Sequence, residues 1–495
     1  MTPAKKITAT ILVLVLVLLF AAAWVVRGNP ADLSVLQVTG TDPVLAEAEP
    51  ETLPTVRIAT PIGWQENERP VAAPGLTVTR FAEGLDHPRI MQTLPNGDVL
   101  VTLTRAPEEE SGAEDAGFFA KVRDWIATRL MSSAGAGGVS ANQLVLLRDA
   151  DGDGAAEQRF VLIDALDSPS GIAWRDGTLY VANHDAVLSF PYALGETSLA
   201  GRTPTKLMDL PPGGGHWMRN LALDPEGERL FVAVGSVSNI GEEGMEVEEG
   251  RAMIWQYDLE KNVQSQYAVG LRNPNGLDFN PWSGELWTTV NERDMLGSDL
   301  VPDYLTNVPV GAQYGWPWVY WRDNFDRRVE APMPQFLTEY ARRPEYALGP
   351  HVAALGLVFS EEGHRMGDAF GSGAFIARHG SWNRVPPSGY DVVYVEFDAR
   401  GNPQGKPVPV LTGFLTEDDD TRGRPTWVEW ASDGALLVSD DTAGVIWRVI
   451  DNSAQPAPVI RRAEGGRLPP RPSLEGDPRT RILEDYARQQ TVPTN

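Results

Sequence analysis

One phrase recurs six times between residues 95 and 439: a turn that contains glycine, followed by alternating apolar residues. Its copies lie at 95–102, 175–182, 225–233, 283–290, 371–377 and 432–439. Strand repeats that keep their pattern while the loops between them vary in length are typical of a β-propeller. Six copies therefore predict six blades.

A second apolar strand precedes each phrase, as at 171–174 and 276–279, and a further strand often follows, as at 187–190, 392–397 and 445–449. One propeller blade contains these elements in the same order: a strand, a glycine turn, a second strand, a short loop and a third strand. A sandwich of seven or eight strands would not need six copies of the same hairpin. The sequence therefore predicts an all-β fold, a six-bladed β-propeller of four-stranded antiparallel blades, over residues 76–452.

The segments outside the repeat have other patterns. Residues 7–26 are almost wholly apolar and follow Lys5 and Lys6, so 1–29 is either an N-terminal transmembrane helix or a cleaved signal sequence with Ala21–Ala23 as its cleavage site. The retained helix is favoured, because the apolar run continues past that site. Both interpretations place the rest of the chain on the periplasmic face of a bacterial inner membrane, anchored or secreted.

Three further segments complete the predicted organisation. Residues 30–75 are expected to be a tether, and the apolar spacing in 117–131 predicts a short helical insertion in the first blade. Residues 453–495 form a proline-rich tail with a short helix pattern at 480–489.

Charge and cysteine content exclude several classes of function. The chain has 42 basic and 67 acidic residues, a formal charge of −25, so nucleic acid is not an expected partner. It has no cysteine, which excludes disulfides, thiol nucleophiles, iron–sulfur clusters and a covalently attached c-type haem.

An acidic turn offers oxygen ligands. Asp149, Asp151 and Asp153 alternate before Gly154, like the start of a calcium loop, but Phe160 stands where an EF-hand has its bidentate glutamate. The turn is therefore not an EF-hand, and it could hold a second, structural cation.

Two loops carry residues suited to catalysis. His216 follows three glycines and precedes a predicted blade strand, so its imidazole can project into the axial channel and accept a proton. Arg272 and Asn273 occupy the equivalent loop of the next unit, followed by the acidic and basic segment 291–294. Arg378, Arg384 and Arg424 end corresponding strands. In a chain this acidic, arginines gathered at one end of the predicted propeller indicate an anionic ligand.

These motifs resemble the glucose/sorbosone dehydrogenase family, six-bladed propellers that use pyrroloquinoline quinone (PQQ) with calcium. The resemblance covers about residues 75–450. It rests on Gly215-His216, GlyLeuArgAsnProAsnGlyLeu at 270–277, AsnGluArgAsp at 291–294, TyrGlyTrpPro at 314–317 and GlyArgPro at 423–425, and it is nearer to the sorbosone branch.

The resemblance implies a role for each matching residue. His216 would be the general base, and Arg272 and Asn273 would hold the quinone oxygens. Calcium would bind the backbone carbonyls of Arg293 and Asp294. Arg424 would pair with a PQQ carboxylate, and His351 falls at a cofactor-contact position. The cofactor lysine of the family has no counterpart here, so Arg378, His379 or Arg384 would have to replace it.

The sequence thus predicts a PQQ- and calcium-dependent dehydrogenase of a sugar, sugar aldehyde or polyol. Without a haem motif it would need an external electron acceptor, a quinone or a cytochrome. The alternatives are a catalytically inactive propeller that binds carbohydrate or a cell-envelope partner, and a calcium-dependent propeller lactonase.

Overall fold

The computed structural model describes residues 28–52, 54–107 and 138–463. The predicted helical insertion at 117–131, the helix pattern at 480–489 and almost all of the predicted anchor at 1–29 lie outside these residues. Within the described part, no helix has both the length and the apolar character needed to span a bilayer.

Two strands precede the first blade, β1 (Val71–Ala72) and β2 (Thr77–Ala82). Three antiparallel sheets follow in chain order. Blade 1 consists of β3 (Pro88–Thr93), β4 (Val99–Leu103), β5 (Gln143–Arg148) and β6 (Gln158–Ile163). Blade 2 consists of β7 (Gly171–Arg175), β8 (Thr178–Ala182), β9 (Ala186–Pro191) and β10 (Thr205–Asp209). Blade 3 consists of β11 (Leu221–Leu223), β12 (Arg229–Val234), β13 (Met253–Asp258) and β14 (Val263–Val269).

Blade 4 contains the longest described insertion. Its first three strands are β15 (Asn273–Phe279), β16 (Leu286–Asn291) and β17 (Pro302–Asn307). The chain then adds β18 (Ala312–Gln313) to the edge of blade 3 and forms a hairpin from β19 (Val319–Tyr320) and β20 (Asn324–Phe325). After the one-turn helix α1 (Leu337–Tyr340), it returns to complete blade 4 with β21 (Tyr346–Pro350).

The sheets of the last two blades include strands from the N-terminal part of the described chain. Blade 5 consists of β22 (Ala354–Phe359), β23 (Gly373–Arg378), β24 (Asp391–Glu396) and β25 (Val408–Thr412), with β1 on its edge and a 3-10 turn at Asp368–Phe370. Blade 6 consists of β26 (Pro425–Trp430), β27 (Leu436–Asp440) and β28 (Val445–Ile450), with β2 as its outer strand. This pairing closes the ring, and the predicted six-bladed propeller is confirmed.

The innermost strands contact one another in order around the axis. Glycines allow the close approach. A Cβ on Gly171 would lie 2.2 Å from the carbonyl oxygen of Arg219, and one on Gly276 would lie 2.4 Å from that of Leu355. In blades 2 and 4 the innermost strand therefore packs backbone to backbone against the next blade, and the apolar strands predicted at 171–174 and 276–279 are the ones at the axis.

Each of the six repeated phrases leads into the second strand of its blade. In five blades its glycine turn joins the first two strands directly, whereas in blade 5 the connection runs from 360 to 372 and contains the 3-10 turn. In blade 2, for example, Gly177 has a positive φ of 80° and Ile172 pairs with Val181 across the turn. Because these two strands are antiparallel, the start of every first strand and the end of every second strand lie at the same end of the ring. We call this end the channel mouth.

The segment predicted as a tether lies against the blades along much of its length. The amide of Gly40 donates to the carbonyl of Ala347 (2.9 Å), that of Glu51 to Met295 (3.1 Å) and that of Ile62 to Thr421 (2.8 Å). These contacts join the segment to blades 4, 5 and 6, and the contact at Met295 lies beside the candidate site described next.

Candidate functional site

His216 lies at the channel mouth, just before β11. Its Nδ1 is 2.9 Å from the carbonyl oxygen of Ser236, which requires a donor at Nδ1 and leaves Nε2 as an acceptor. Burial and the neighbouring Arg272 lower the pKa of His216 from 6.5 to about 3. The imidazole is therefore neutral across the physiological range and can accept a proton at Nε2.

Asn273, the first residue of β15, lies next to His216. A Cβ on Gly235 would come within 2.4 Å of Asn273 Oδ1 and 2.5 Å of the Cβ of His216, so only glycine fits between them. Asn273 Nδ2 donates to Asn291 Oδ1 (3.2 Å), whereas its Oδ1 is buried with no hydrogen-bond partner among the described residues. A buried amide oxygen without a partner is suited to a ligand that brings a donor.

Arg272 is buried beside them and held on several sides. Nε donates to the carbonyl of Asn239 (3.1 Å), and Nη1 donates to that of Glu292 (2.6 Å). Nη2 donates to Asn239 Oδ1 (3.0 Å) and Asp294 Oδ2 (3.1 Å). These hydrogen bonds fix the guanidinium of Arg272, so its positive charge has one defined position beside His216 and Asn273.

Asp294 connects Arg272 to His351. His351 Nδ1 lies 3.1 Å from Asp294 Oδ1, and its Nε2 lies 3.1 Å from the carbonyl oxygen of Gly297. Burial alone would raise the pKa of Asp294, but Arg272 and His351 hold it below its ordinary value. Both ring nitrogens of His351 therefore contact protein oxygens and leave none for a cofactor, although His351 is predicted as a cofactor contact. In the structure its role is to orient the carboxylate of Asp294.

A second cluster lies between blades 5, 6 and 1, centred on the buried Asp441. Its carboxylate accepts from Arg89 Nη1 (2.6 Å) and His379 Nε2 (3.0 Å), and His87 Nε2 is 3.5 Å away. Burial would raise the pKa of Asp441, yet the two histidines and Arg89 hold it well below its usual range. One carboxylate thus serves three basic side chains.

Arg424, at the start of blade 6, adds a positive charge with no counterion. Its side chain is 7% exposed, its guanidinium lies over the ring of Tyr390 (5.2 Å), and it is close enough to help lower the pKa of His379. Among the residues that the structure describes, no ion pair reaches this guanidinium, and its buried Nε has no hydrogen-bond partner. A desolvated guanidinium in this state is suited to an anionic ligand such as a carboxylate.

Arg378 and Arg384 do not join this cluster. Arg378 Nε donates to Asp391 (2.7 Å) and its Nη1 to the carbonyl of Leu348, between blades 4 and 5. Arg384 pairs with Asp299 (3.2 Å) and the carbonyl of Pro386. Of the three residues predicted to replace the family's lysine, the structure brings only His379 next to Arg424.

Of the two carbonyls predicted to bind calcium, that of Asp294 has protein partners. The carbonyl oxygen of Asp294 accepts from Asn239 Nδ2 (3.1 Å) and from Arg328 Nη1 (3.0 Å). The side chain of Arg293 is fully buried and pairs with Glu292 (3.0 Å). Because both lone pairs of the Asp294 carbonyl are used and one partner is a cation, this arrangement does not fit a calcium ion at that oxygen.

The acidic turn joins β5 to β6, at the end of blade 1 opposite the channel mouth. The carboxylates of Asp149, Asp151, Asp153 and Glu157 come within 4.8 Å of one another. Backbone amides of the turn, such as those of Gly152 and Gly154, donate to Asp149. A structural cation there stays a prediction.

Sequence reasoning missed four residues of the mouth: Arg89, Asn239, Arg328 and Asp441. A signal for Arg89 was available. AspHisProArg at 86–89 repeats the form of ArgAsnProAsn at 272–275, and both stand at the start of an innermost strand.

Comparison with known proteins gives the same fold and a family. The TrAA12-like family matches residues 130–309 and 335–452. The solved structure of a Trichoderma reesei carbohydrate-active enzyme of family AA12 superposes with a TM-score of 0.62 at 20% identity, covering 80% of this chain and 99% of that one. The holo form of the pyranose dehydrogenase PQQ domain from Coprinopsis cinerea gives 0.59 at 20% identity, covering 80% and 100%.

Curated relatives match a smaller share of the chain at a higher identity. An uncharacterised protein of Borreliella burgdorferi is 27% identical over 303 residues, 59% of this chain and 77% of that one. The PQQ-dependent pyranose dehydrogenase of Coprinopsis cinerea is 26% identical over 291 residues, 47% of this chain and only 39% of the dehydrogenase. The resemblance predicted from the motifs is confirmed for the family, whereas its sorbosone branch stays a prediction.

Proposed function

The chain belongs to the TrAA12-like family, and on that premise we propose that it is an oxidoreductase that uses PQQ to oxidise a sugar, a sugar aldehyde or a polyol. The observation that carries the proposal is the unpaired guanidinium of Arg424 at the same channel mouth as the neutral imidazole of His216. A tricarboxylate cofactor would supply the missing counterion, and a hydroxyl substrate would supply the proton.

The basic residues between blades 5, 6 and 1 would bind the cofactor. Among the residues that the structure describes, the guanidinium of Arg424 has no hydrogen-bond partner, and neither has Nε of Arg89, whose guanidinium lies over the ring of Trp217 (5.4 Å). Asp441 holds Arg89 and His379 in fixed positions. Preorganised donors lose little entropy on binding a carboxylate, which is how this cluster would favour an anion over water.

His216 would take the proton. As the substrate C–H bond breaks and the carbon–oxygen bond becomes a carbonyl, the hydroxyl proton moves to Nε2, while Nδ1 keeps its bond to the Ser236 carbonyl. When bound, PQQ supplies the two-electron acceptor that receives the hydride. The carboxylate of Asp294 partly offsets the charge of the resulting imidazolium.

Arg272 and Asn273 would orient the reacting groups beside His216. The fixed charge of Arg272 favours negative charge that develops next to it, and the free Oδ1 of Asn273 accepts a donor. No step is assigned to calcium, since the Asp294 carbonyl is filled by protein donors.

The electrons would leave through a separate acceptor, a quinone or a cytochrome, because a chain without cysteine has no covalent c-type haem of its own. We further propose that the chain works on the periplasmic face of a bacterial inner membrane, supported by the apolar run at residues 7–26.

The test uses the purified full-length chain with PQQ, a redox dye and a panel of aldoses, sugar aldehydes and polyols. We expect dye reduction that depends on both PQQ and one of these substrates. PQQ binding without turnover of any substrate would favour the inactive propeller, and ester or lactone hydrolysis without a quinone would favour the lactonase.

A further inference from the structure

Arg328, on the loop after β20, reaches across to the segment that follows β16. Its Nη1 donates to the carbonyl oxygens of Asp294 (3.0 Å) and Met295 (2.8 Å). Its Nε and Nη2 donate to the two carboxylate oxygens of Asp326 (2.9 and 2.7 Å). Asp326 is almost fully buried, so the fork–fork pair fixes the guanidinium plane and aims the remaining donor at the two carbonyls.

The resemblance assigned calcium to this short stretch of backbone, at the carbonyls of Arg293 and Asp294. Calcium needs six to eight oxygen ligands at about 2.3–2.6 Å. Here the Asp294 carbonyl already accepts from Arg328 and from Asn239, and a cation approaching it would meet the guanidinium charge. The positive charge that a divalent ion would bring to this place is supplied by a side chain.

We propose that Arg328 takes the place of the calcium ion: it holds the loop of Asp294 in position and supplies a fixed positive charge there, so the chain binds its cofactor without calcium. This rests on the proposed function. Arg328 is a positioning residue, acting through Asp294, whose carboxylate contacts Arg272 (3.1 Å).

Removal of Arg328 would create a calcium site. The carbonyls of Asp294 and Met295 would lose their cationic donor. The carboxylate of Asp326 would keep the backbone amide of residue 328 (3.0 Å), and its one remaining cationic partner among the described residues would be the more distant Arg293 (3.6 Å). Two carbonyls and a carboxylate on one side of a vacated space are hard oxygen ligands of the kind that calcium prefers.

The experiment compares Arg328→Ala with Arg327→Ala, the exposed neighbour of the same charge. Both variants, and the parent with which they are compared, carry Asp151→Asn and Asp153→Asn, which removes the acidic turn as a source of calcium binding. Titration calorimetry with calcium chloride alone, after chelation, should show no binding to the parent or to Arg327→Ala and one calcium per chain in Arg328→Ala. Arg328→Gln, which keeps donors without charge, gives the same test if the alanine variant does not fold.

A PQQ titration of the same proteins forms the second arm. We expect the parent to bind PQQ equally well with chelator or with calcium, and Arg328→Ala to bind about tenfold more weakly in chelator and to recover in calcium. A parent that binds one calcium, or an Arg328 variant that binds none, overturns the proposal. If no protein binds PQQ, the proposed function fails, while the calcium titration still decides the role of Arg328.

Discussion

The two sides of the channel mouth contain the same kinds of side chain and balance their charges differently. On the side of blades 3 and 4, Arg272, Arg293 and Arg328 each pair with a carboxylate of their own: Asp294, Glu292 and Asp326. On the side of blades 5, 6 and 1, the single carboxylate of Asp441 serves Arg89, His379 and His87, and Arg424 has no counterion among the described residues.

The difference separates two tasks. On the first side, which we call the matched side, three arginines are held in place by carboxylates, and this rigid setting suits the placing of a neutral base such as His216. A side with surplus positive charge is incomplete without an anion. In a chain of charge −25, a buried arginine without a carboxylate partner is a local reversal of charge that favours an anion there.

The largest effect is expected on the matched side. His216→Ala should lower kcat by about a hundred- to ten-thousandfold, the contribution of a well-placed general base, with little change in PQQ affinity. Steady-state kinetics with a redox dye, together with a PQQ titration of the same variant, measures both. Equal loss of turnover and of PQQ binding would show that His216 is part of the cofactor site and would break the division of tasks.

Loss of the shared carboxylate should cost the most stability. Asp441→Asn leaves Arg89 without its buried partner, so we expect the free energy of unfolding to fall by about 3–5 kcal/mol in urea denaturation. Because the pKa of Asp441 is depressed, its contribution is present above the unfolded value and is lost as pH falls through the folded value. The exposed pair of Asp433 and Arg448 is the control, and Asp433→Asn should cost less than about 1 kcal/mol.

A smaller effect, on binding alone, should follow from removal of the unpaired charge. Arg424→Ala should weaken PQQ binding about ten- to hundredfold, the range for charge-assisted hydrogen bonds, without loss of stability, since no partner is left behind. The control is Arg422→Ala, whose guanidinium pairs with Glu68 (3.5 Å). Destabilisation by Arg424→Ala with unchanged PQQ affinity would make Arg424 a structural residue.

The smallest effect is an absence of change with pH. Since the pKa of His216 is about 3, its imidazole stays unprotonated and able to accept a proton well below neutrality. The profile of kcat/KM should therefore lack an acid limb between about pH 8 and pH 5. An acid limb with an apparent pKa near 6.5 that disappears in His216→Ala would contradict the burial and charge that the structure gives this residue.

The hairpins could be predicted because they are local: in five of the six blades a glycine turn and its two strands lie within about twenty residues. His216 and Arg272 could be predicted because they stand at strand starts. Asp441 could not be predicted, because it pairs with Arg89, which lies 352 positions away in the sequence and meets it only when the ring closes. Arg328 lies in the long insertion of blade 4, where no repeat indicates which residues return to the mouth.

Arg378 and His379 show a different limit. Both are candidates because they lie at the end of β23, Arg378 as its last residue and His379 directly after it, but successive residues of an extended chain point to opposite sides. Arg378 turns to Asp391 between the blades, while His379 turns to Asp441. The sequence placed the pair at the right end of the strand, and only the register decides which of them faces the ligand.

We expect the anionic cofactor to bind on the side of the mouth formed by blades 5, 6 and 1, where Arg424 has no counterion among the described residues. An absorbance titration of the chain with PQQ, repeated on Arg424→Ala and Arg422→Ala, tests it most directly. We expect saturable binding of one PQQ per chain at micromolar concentration or below, weakened in Arg424→Ala and unchanged in Arg422→Ala. No saturable binding to the parent chain, or equal binding to all three proteins, would contradict it.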